Sequence, residues 1–222
     1  MNEIKLVVFD LAGTTVKDNG QVVNAFTTAL AEHSIEVTSE QLTAVRGASK
    51  RQAIWHLMPE GSDRGDRAQQ VYASFCQHLA RRYRVDGVEP IAGAEQTFKW
   101  LREQGVRVAL NTGFDRDITE LLLTALHWEE GVADAVVCGD EVKQGRPAPY
   151  LIFHAMEGTG TTDVQQVVNV GDTVLDLQAG HNARVKWNVG VLSGAHHREL
   201  LERVPHTHLL RSVTELPDLW IA

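Results

Sequence analysis

The chain has 222 residues, 43% hydrophobic and 23% charged, with a formal net charge of −8 at pH 7, values ordinary for a soluble globular protein that holds one large α/β domain or a core with a smaller insert. The acidic balance, with lysines and arginines scattered among acids rather than gathered in a stripe, excludes a nucleic-acid partner. No apolar run approaches the roughly 20 residues that a membrane span needs, so no membrane partner is expected either.

Ile4 to Phe9 is a continuous apolar run, the pattern of a buried strand in a parallel sheet, and it ends in Asp10 before the turn Leu11-Ala12-Gly13-Thr14-Thr15. Val22 to His33 has helical spacing, and Thr38-Ser39-Glu40-Gln41 reads as a capping box opening a second helix that Gly47 ends. Ser49 to Met58 predicts a short helix stopped by Pro59 and Gly61. Asp63 to Tyr83 predicts a longer one, with Val71, Phe75, Leu79 and Tyr83 on a shared face. From Gly93 onward helix and strand alternate. Helices are expected at 94–103, 116–126, 147–156, 175–182 and 197–203, and strands at 106–110, 135–138, 167–170 and 187–192, with a possible edge strand at 208–210. Pro147 is expected in the first turn of its helix, where a missing N–H does no harm.

This order predicts an α/β fold, a Rossmann-like doubly wound parallel sheet, with an all-helical cap inserted after the first strand. The expected core is 1–16 plus 88–222, and the expected cap is 17–87, placed over the crevice at the strand ends. Two cysteines, Cys76 and Cys138, form no C-x-x-C pair and suit free thiols in a reducing compartment, although one disulfide stays open. With no basic and apolar leader pattern at residue 1, the expected location is cytoplasmic. The five tryptophans, Trp55 included, read as packing residues.

Polar signals recur at the predicted strand ends. Strand one ends in Asp10, the next in Thr112-Gly113, and a later one in Gly171-Asp172, with Asp176 four residues on. Gly145-Arg146-Pro147 precedes a helix in the same region. Carboxylates at several strand ends suit Mg²⁺. Thr112 with the Gly113 amide suits an anionic oxygen, and Arg146 supplies a fixed positive charge. Taken singly, Thr112 is equally read as a helix cap, Arg146 as a surface charge, and Asp172 and Asp176 as first-turn acids on a helix dipole. The joint pattern is that of a phosphoryl-transfer site.

These residues, in this order and over nearly the whole chain, resemble the haloacid dehalogenase superfamily. The resemblance implies that Asp10 attacks phosphorus and that Thr112 binds a phosphoryl oxygen. It also implies that Asp10, Asp172 and Asp176 gather around Mg²⁺, with the Leu11 carbonyl completing the metal shell and Ala12 counted beside it. Most phosphatases of the superfamily carry a second aspartate two residues after the nucleophile. Ala12 stands there in this chain, and it cannot serve as acid or base. Asp10-Leu11-Ala12-Gly13-Thr14-Thr15, Gly145-Arg146-Pro147 and Gly171-Asp172-Thr173-Val174-Leu175-Asp176 resemble the phosphonatase (phosphonoacetaldehyde hydrolase) subgroup, which cleaves a carbon–phosphorus bond with an imine-forming cap lysine.

Lys50, in Arg46-Gly47-Ala48-Ser49-Lys50, matches the spacing of that lysine. It is equally read as a solvated charge or a phosphate clamp. Ala12, Gly13, Arg46, Gly113 and Phe114 are the expected substrate contacts, with Phe114 equally suited to the core. The chain departs from the subgroup at Arg46, where a Met is usual, and at Ala53, where a His is usual; His56 lies one turn further along. Arg46 suits a substrate carboxylate. Three readings stay open here. The first is a Mg²⁺-dependent C–P hydrolase with Lys50. The second is a phosphatase on a small ester such as a phosphoglycolate-like acid, and the third is a non-catalytic metabolite-binding module. The expected partner is a small phosphorylated or phosphonate metabolite, and the resemblance adds a homodimer through cap helices.

Overall fold

A computed structural model describes residues 4–220. Six strands, β1 (Leu6–Asp10), β2 (Arg107–Asn111), β3 (Ala135–Val137), β4 (Val167–Gly171), β5 (Trp187–Val191) and β6 (His208–Leu210), form one sheet in the order β3-β2-β1-β4-β5-β6. Every neighbouring pair is parallel. All five residues of β1 are buried, because the central strand is covered on both faces. Its side chains alternate accordingly. Val7 and Phe9 join one apolar cluster and Leu6 and Val8 the other.

Five helices lie between β1 and β2 in sequence, and the first four, α1 (Gln21–Glu32), α2 (Ser39–Ala44), α3 (Lys50–Leu57) and α4 (Arg64–Asp86), fall in the segment expected as the helical cap, called the cap below. Val71, Phe75 and Leu79 repeat every four residues along α4 and are fully buried. The Phe75 ring meets Phe26 of α1 edge-on at 5.7 Å. Thr38 and Gln41 make the expected capping box, the Gln41 N–H donating to the Thr38 hydroxyl at 3.2 Å and the Gln41 carboxamide accepting from the Thr38 N–H at 2.8 Å.

The remaining helices are α5 (Ala94–Glu103), α6 (Arg116–Leu126), α7 (Tyr150–Thr159), α8 (Val174–Ala183) and α9 (Arg198–Leu201). Residues of α5 and α6 join the cluster on the Val7/Phe9 face, and residues of α7 and α8 the one opposite. In chain order the sheet grows from β1 to β3 on one side and through β4 to β6 on the other. The reversal leaves a crevice outside the carboxyl ends of β1 and β4.

Two expectations need correction, and one element was not expected. The helix predicted from Pro147 begins instead at Tyr150, with Pro149 at its N-cap. Arg146 and Ala148 each precede a proline, which disfavours the helical region at both. Trp55 is not a packing residue, since it is 45% exposed and lies under the Arg64 guanidinium at 4.6 Å. A 3₁₀ helix at Val213–Trp220 was not expected from the pattern and contains Pro217.

Candidate active site

Strand register brings the signals together. Asp10 pairs with Asn111, and Phe9 with Val170, so Thr112 and Asp172 leave their strands beside the Asp10 carboxylate. The chain then turns sharply. The Leu11 carbonyl accepts the N–H groups of Thr14, Thr15 and Val16 at 3.3, 2.9 and 2.8 Å, and the Gly13 N–H donates to the Val16 carbonyl at 2.7 Å. Gly13 has φ +94°, and a Cβ there would collide with the Asp172 carboxylate, so only glycine fits. Leu11 is therefore consumed by the turn, while the Ala12 carbonyl makes no hydrogen bond among the described residues.

Asp10, Asp172 and Asp176 bring carboxylate oxygens within 4.8 Å of one another, and all three are buried. Arg146 reaches into this cluster, its Nη2 2.8 Å from Asp10 Oδ1 and its Nε 2.9 Å from Asp176 Oδ1. It also donates to the Asn111 carboxamide oxygen and, at 3.3 Å, to the Gly47 carbonyl of the cap. The other Asp176 oxygen accepts from the Thr173 N–H and hydroxyl. Asp172 accepts from the Thr14 hydroxyl at 3.0 Å and from the Ala195 N–H at 2.6 Å.

One guanidinium does not balance three buried carboxylates. Burial pushes the Asp10 carboxyl up to about 7 against the pull of Arg146. Burial, then the charges of Asp10 and Asp176, hold Asp172 well above the carboxylate range. Against burial, Asp176 and Asp10 keep the Arg146 guanidinium above its ordinary value. Charge-deficient, oxygen-only and enclosed, the cluster fits a hard divalent cation.

Above the cluster lies a cavity of about 90 Å³. Asp10, Ala12, Thr112, Gly113, Phe114, Arg146 and Asp172 line it from the sheet side, and Arg46, Gly47, Lys50 and Ala53 from the cap. The Thr112 hydroxyl accepts the Phe114 N–H at 3.1 Å, which leaves its own proton to donate. Lys50 Nζ lies 5.4 Å from the Phe114 ring centroid and donates to the Ala48 carbonyl at 3.2 Å. Burial lowers the Lys50 pKa, although Asp10 opposes the shift. The cap loop sits on the sheet so closely that a Cβ on Gly113 would lie 2.6 Å from the Ala48 carbonyl oxygen.

Every site residue expected from the sequence lies around this cavity except Gly13, Leu11 and Asp176, which support it from the turn and from α8. His56 is exposed, its Nδ1 2.7 Å from the Gln52 carbonyl. Sequence reasoning missed Asn111 and Thr14, whose partners Arg146 and Asp172 lie far along the chain. It also missed Asp18 and Ala195, which line the cavity. Only Asn111, a polar residue closing an apolar strand, carried a usable signal.

The family described as haloacid dehalogenase-like hydrolase matches residues 7–189. A phosphonoacetaldehyde hydrolase from Parabacteroides distasonis is 33% identical over 210 residues, covering 88% of this chain and 78% of the relative. Among solved structures, a hydrolase from Pseudomonas syringae superposes with a TM-score of 0.86 at 22% identity, covering 98% of each chain. A phosphonoacetaldehyde hydrolase-like protein from Oleispira antarctica gives 0.84 at 20% identity, covering 97% of this chain and 91% of the other.

Proposed function

This chain belongs to the haloacid dehalogenase-like hydrolases, in their phosphonatase-like branch, and from that premise we propose that it removes a phosphoryl group from a small phosphonate by C–P cleavage. The observation that carries the reading is Lys50. It is a cap amine lining the same cavity as the Asp10 carboxylate, with burial moving it toward the neutral, nucleophilic form.

In this reading Lys50 Nζ adds to a carbonyl two bonds from phosphorus and forms an imine, with water leaving. Asp10 attacks phosphorus, and the electron pair of the C–P bond flows toward the imine nitrogen. The Thr112 hydroxyl and the Gly113 N–H donate to a phosphoryl oxygen, and Arg146 holds the Asp10 carboxylate in line. Asp10 and Asp172, with Asp176 behind them and the Ala12 carbonyl beside them, are the groups that would hold Mg²⁺. Mg²⁺ would supply charge neutralisation between Asp10 and the phosphoryl oxygens. No acid is needed at position 12, because the leaving group is an enamine rather than an alkoxide. Water then hydrolyses both the imine and the acyl phosphate.

One observation favours a phosphomonoesterase instead. Ala53, buried against the cavity, offers no imidazole for the proton transfers of imine formation. Borohydride treatment with phosphonoacetaldehyde separates the two. Covalent labelling of Lys50, absent in Lys50→Ala, is expected. Release of phosphate from esters that survives Lys50→Arg, with no labelling, would move the reading to the esterase.

A further inference from the structure

Two cations project into the cavity from the cap, and no carboxylate is paired with either among the described residues. Among the described residues Lys50 Nζ donates only to the Ala48 carbonyl and sits near the Phe114 ring, and Arg46 Nη1 donates only to the Ala195 carbonyl, at 3.3 Å. The cavity's third cation, Arg146, is consumed by Asp10 and Asp176. Asp18 also lines the cavity, but its carboxylate accepts the Val22 N–H at the start of α1 and makes no ion pair among the described residues, its charge acting on Lys50 only from a distance. Most of the remaining cap lining is apolar, including Val22, Val23, Phe26, Leu42 and Val45. An unpaired guanidinium in such a wall is a binding group waiting for an anion.

The spacing says which anion. Ala195 bridges Arg46 and the metal-site acid, since its carbonyl accepts from Arg46 and its N–H donates to Asp172 at 2.6 Å. The guanidinium is thus no further from the Asp172 carboxylate than two hydrogen bonds and one residue of backbone, at most about 9 Å. A skeleton of two or three carbons spans that gap. His196, next in the chain, adds no positive charge there. Its Nδ1 accepts the Val174 N–H at 3.0 Å, and burial and Arg46 lower its pKa.

We propose that the substrate carries a carboxylate at the end remote from phosphorus, seated on Arg46, so that the substrate class is a short phosphonate bearing both a carbonyl and a carboxylate, ⁻O₃P–CH₂–CO–CO₂⁻ or its close homologues. The inference rests on the C–P reading for the carbonyl, but the carboxylate contact stands apart from it. The reaction balances. The carbonyl oxygen leaves as water when Lys50 forms C=N, and the P–C pair becomes the enamine C=C as Asp10 takes phosphorus. A proton then adds at carbon, and water releases the 2-oxo acid and phosphate. The net change is substrate plus one water to 2-oxo acid plus phosphate.

Calorimetry tests the contact without turnover, using the full chain with Mg²⁺ and two pairs of inert probes, phosphonoacetate against ethylphosphonate and 3-phosphonopropionate against propylphosphonate. The carboxylate member of at least one pair is expected to bind about 10- to 100-fold more tightly, the size of a charge-assisted hydrogen-bonded pair. Arg46→Met should erase that preference while leaving the alkylphosphonates unchanged, and Arg46→Lys should restore part of it. Equal affinities within both pairs, or a preference that survives Arg46→Met, would overturn the inference. Turnover is read separately, as phosphate release from 3-phosphonopyruvate and phosphonoacetaldehyde. Failure of both substrates, with the Arg46-dependent preference intact, would remove the C–P reading and leave the carboxylate site standing.

Discussion

Arg146 is the residue on which the charge balance of the site turns. Its side chain is 3% exposed and lies between two carboxylates, with Asn111 receiving a further N–H. A buried ion pair adds little net stability, but removing one partner strands the other in a medium that solvates it poorly. Arg146→Met keeps the volume and removes the charge, so Asp10 and Asp176 would each lose their cation. Metal-free protein is expected to lose about 3–5 kcal/mol in urea unfolding, and phosphate release is expected to fall by at least about 10²-fold. Arg146→Lys separates charge from geometry. A lysine should recover part of the stability but cannot hold Asp10, Asp176 and Asn111 at once, because it lacks the planar fork. Full activity in Arg146→Lys would show that orientation of Asp10 does not depend on that fork.

The cap meets the sheet through the start of α3. The Lys50 N–H donates to the Gly113 carbonyl at 3.1 Å, and Arg51 Nε lies 2.6 Å from Asp115, just before α6. The Arg51 guanidinium also covers the Tyr72 ring of α4 at 3.9 Å, which holds its plane. These contacts set the height of Lys50 over the cavity, and they require glycine at 113. In Gly113→Ala the new methyl would meet the Ala48 carbonyl and lift the cap loop. The expected result is a fall in kcat/KM of about 10- to 100-fold, since reacting groups would be displaced by ångströms, with a much smaller change in Tm. An unchanged kcat/KM would mean that the cap closes in some other way during turnover. Much of this element pattern was legible in the sequence. The Thr38/Gln41 capping box, the four-residue repeat of α4 and the apolar strands rest on local chemistry, and they form where the residues indicate. The start of α7 was not legible as written, because the two X-Pro steps at Arg146 and Ala148 override the helical spacing around them. Nor was Trp55, whose ring finds an arginine rather than the core.

At the scale of the whole molecule, one apolar cluster runs from β1 through α5 and α6 into α1 and α4, so cap and sheet share their packing. The site depends on the same long-range closure, since the Thr14 hydroxyl and the Asp172 carboxylate it holds are 158 residues apart. That Asp10, Thr112 and Asp172 converge follows from the rule that parallel strands open their crevice at the carboxyl ends. That Leu11 is spent on the turn, or that Arg46 has no acid partner among the described residues, does not follow from it, because hydrogen-bond partners are set by the assembled fold. The convergence also makes stability depend on pH and metal in a definite sense. Asp10 has an ordinary value of 3.8 and a folded value of about 7, so between these the folded chain holds a proton that the unfolded chain has released. That contribution is fully present below 3.8 and is lost as pH rises through about 7. Asp172, raised by burial and its neighbours, acts in the same direction. Metal-free protein should therefore lose stability from about pH 4 to about pH 7. A divalent cation must displace those protons to bind, so Mg²⁺ should raise Tm little at the acid end and most at the alkaline end. In Asp10→Asn both the slope and the Mg²⁺ gain should shrink, since one titrating ligand is gone. Scanning calorimetry at several pH values, with and without Mg²⁺, reads all of this at once. A Mg²⁺ gain that is equal across the range, or unaffected in Asp10→Asn, would mean that the cation binds somewhere other than this cluster.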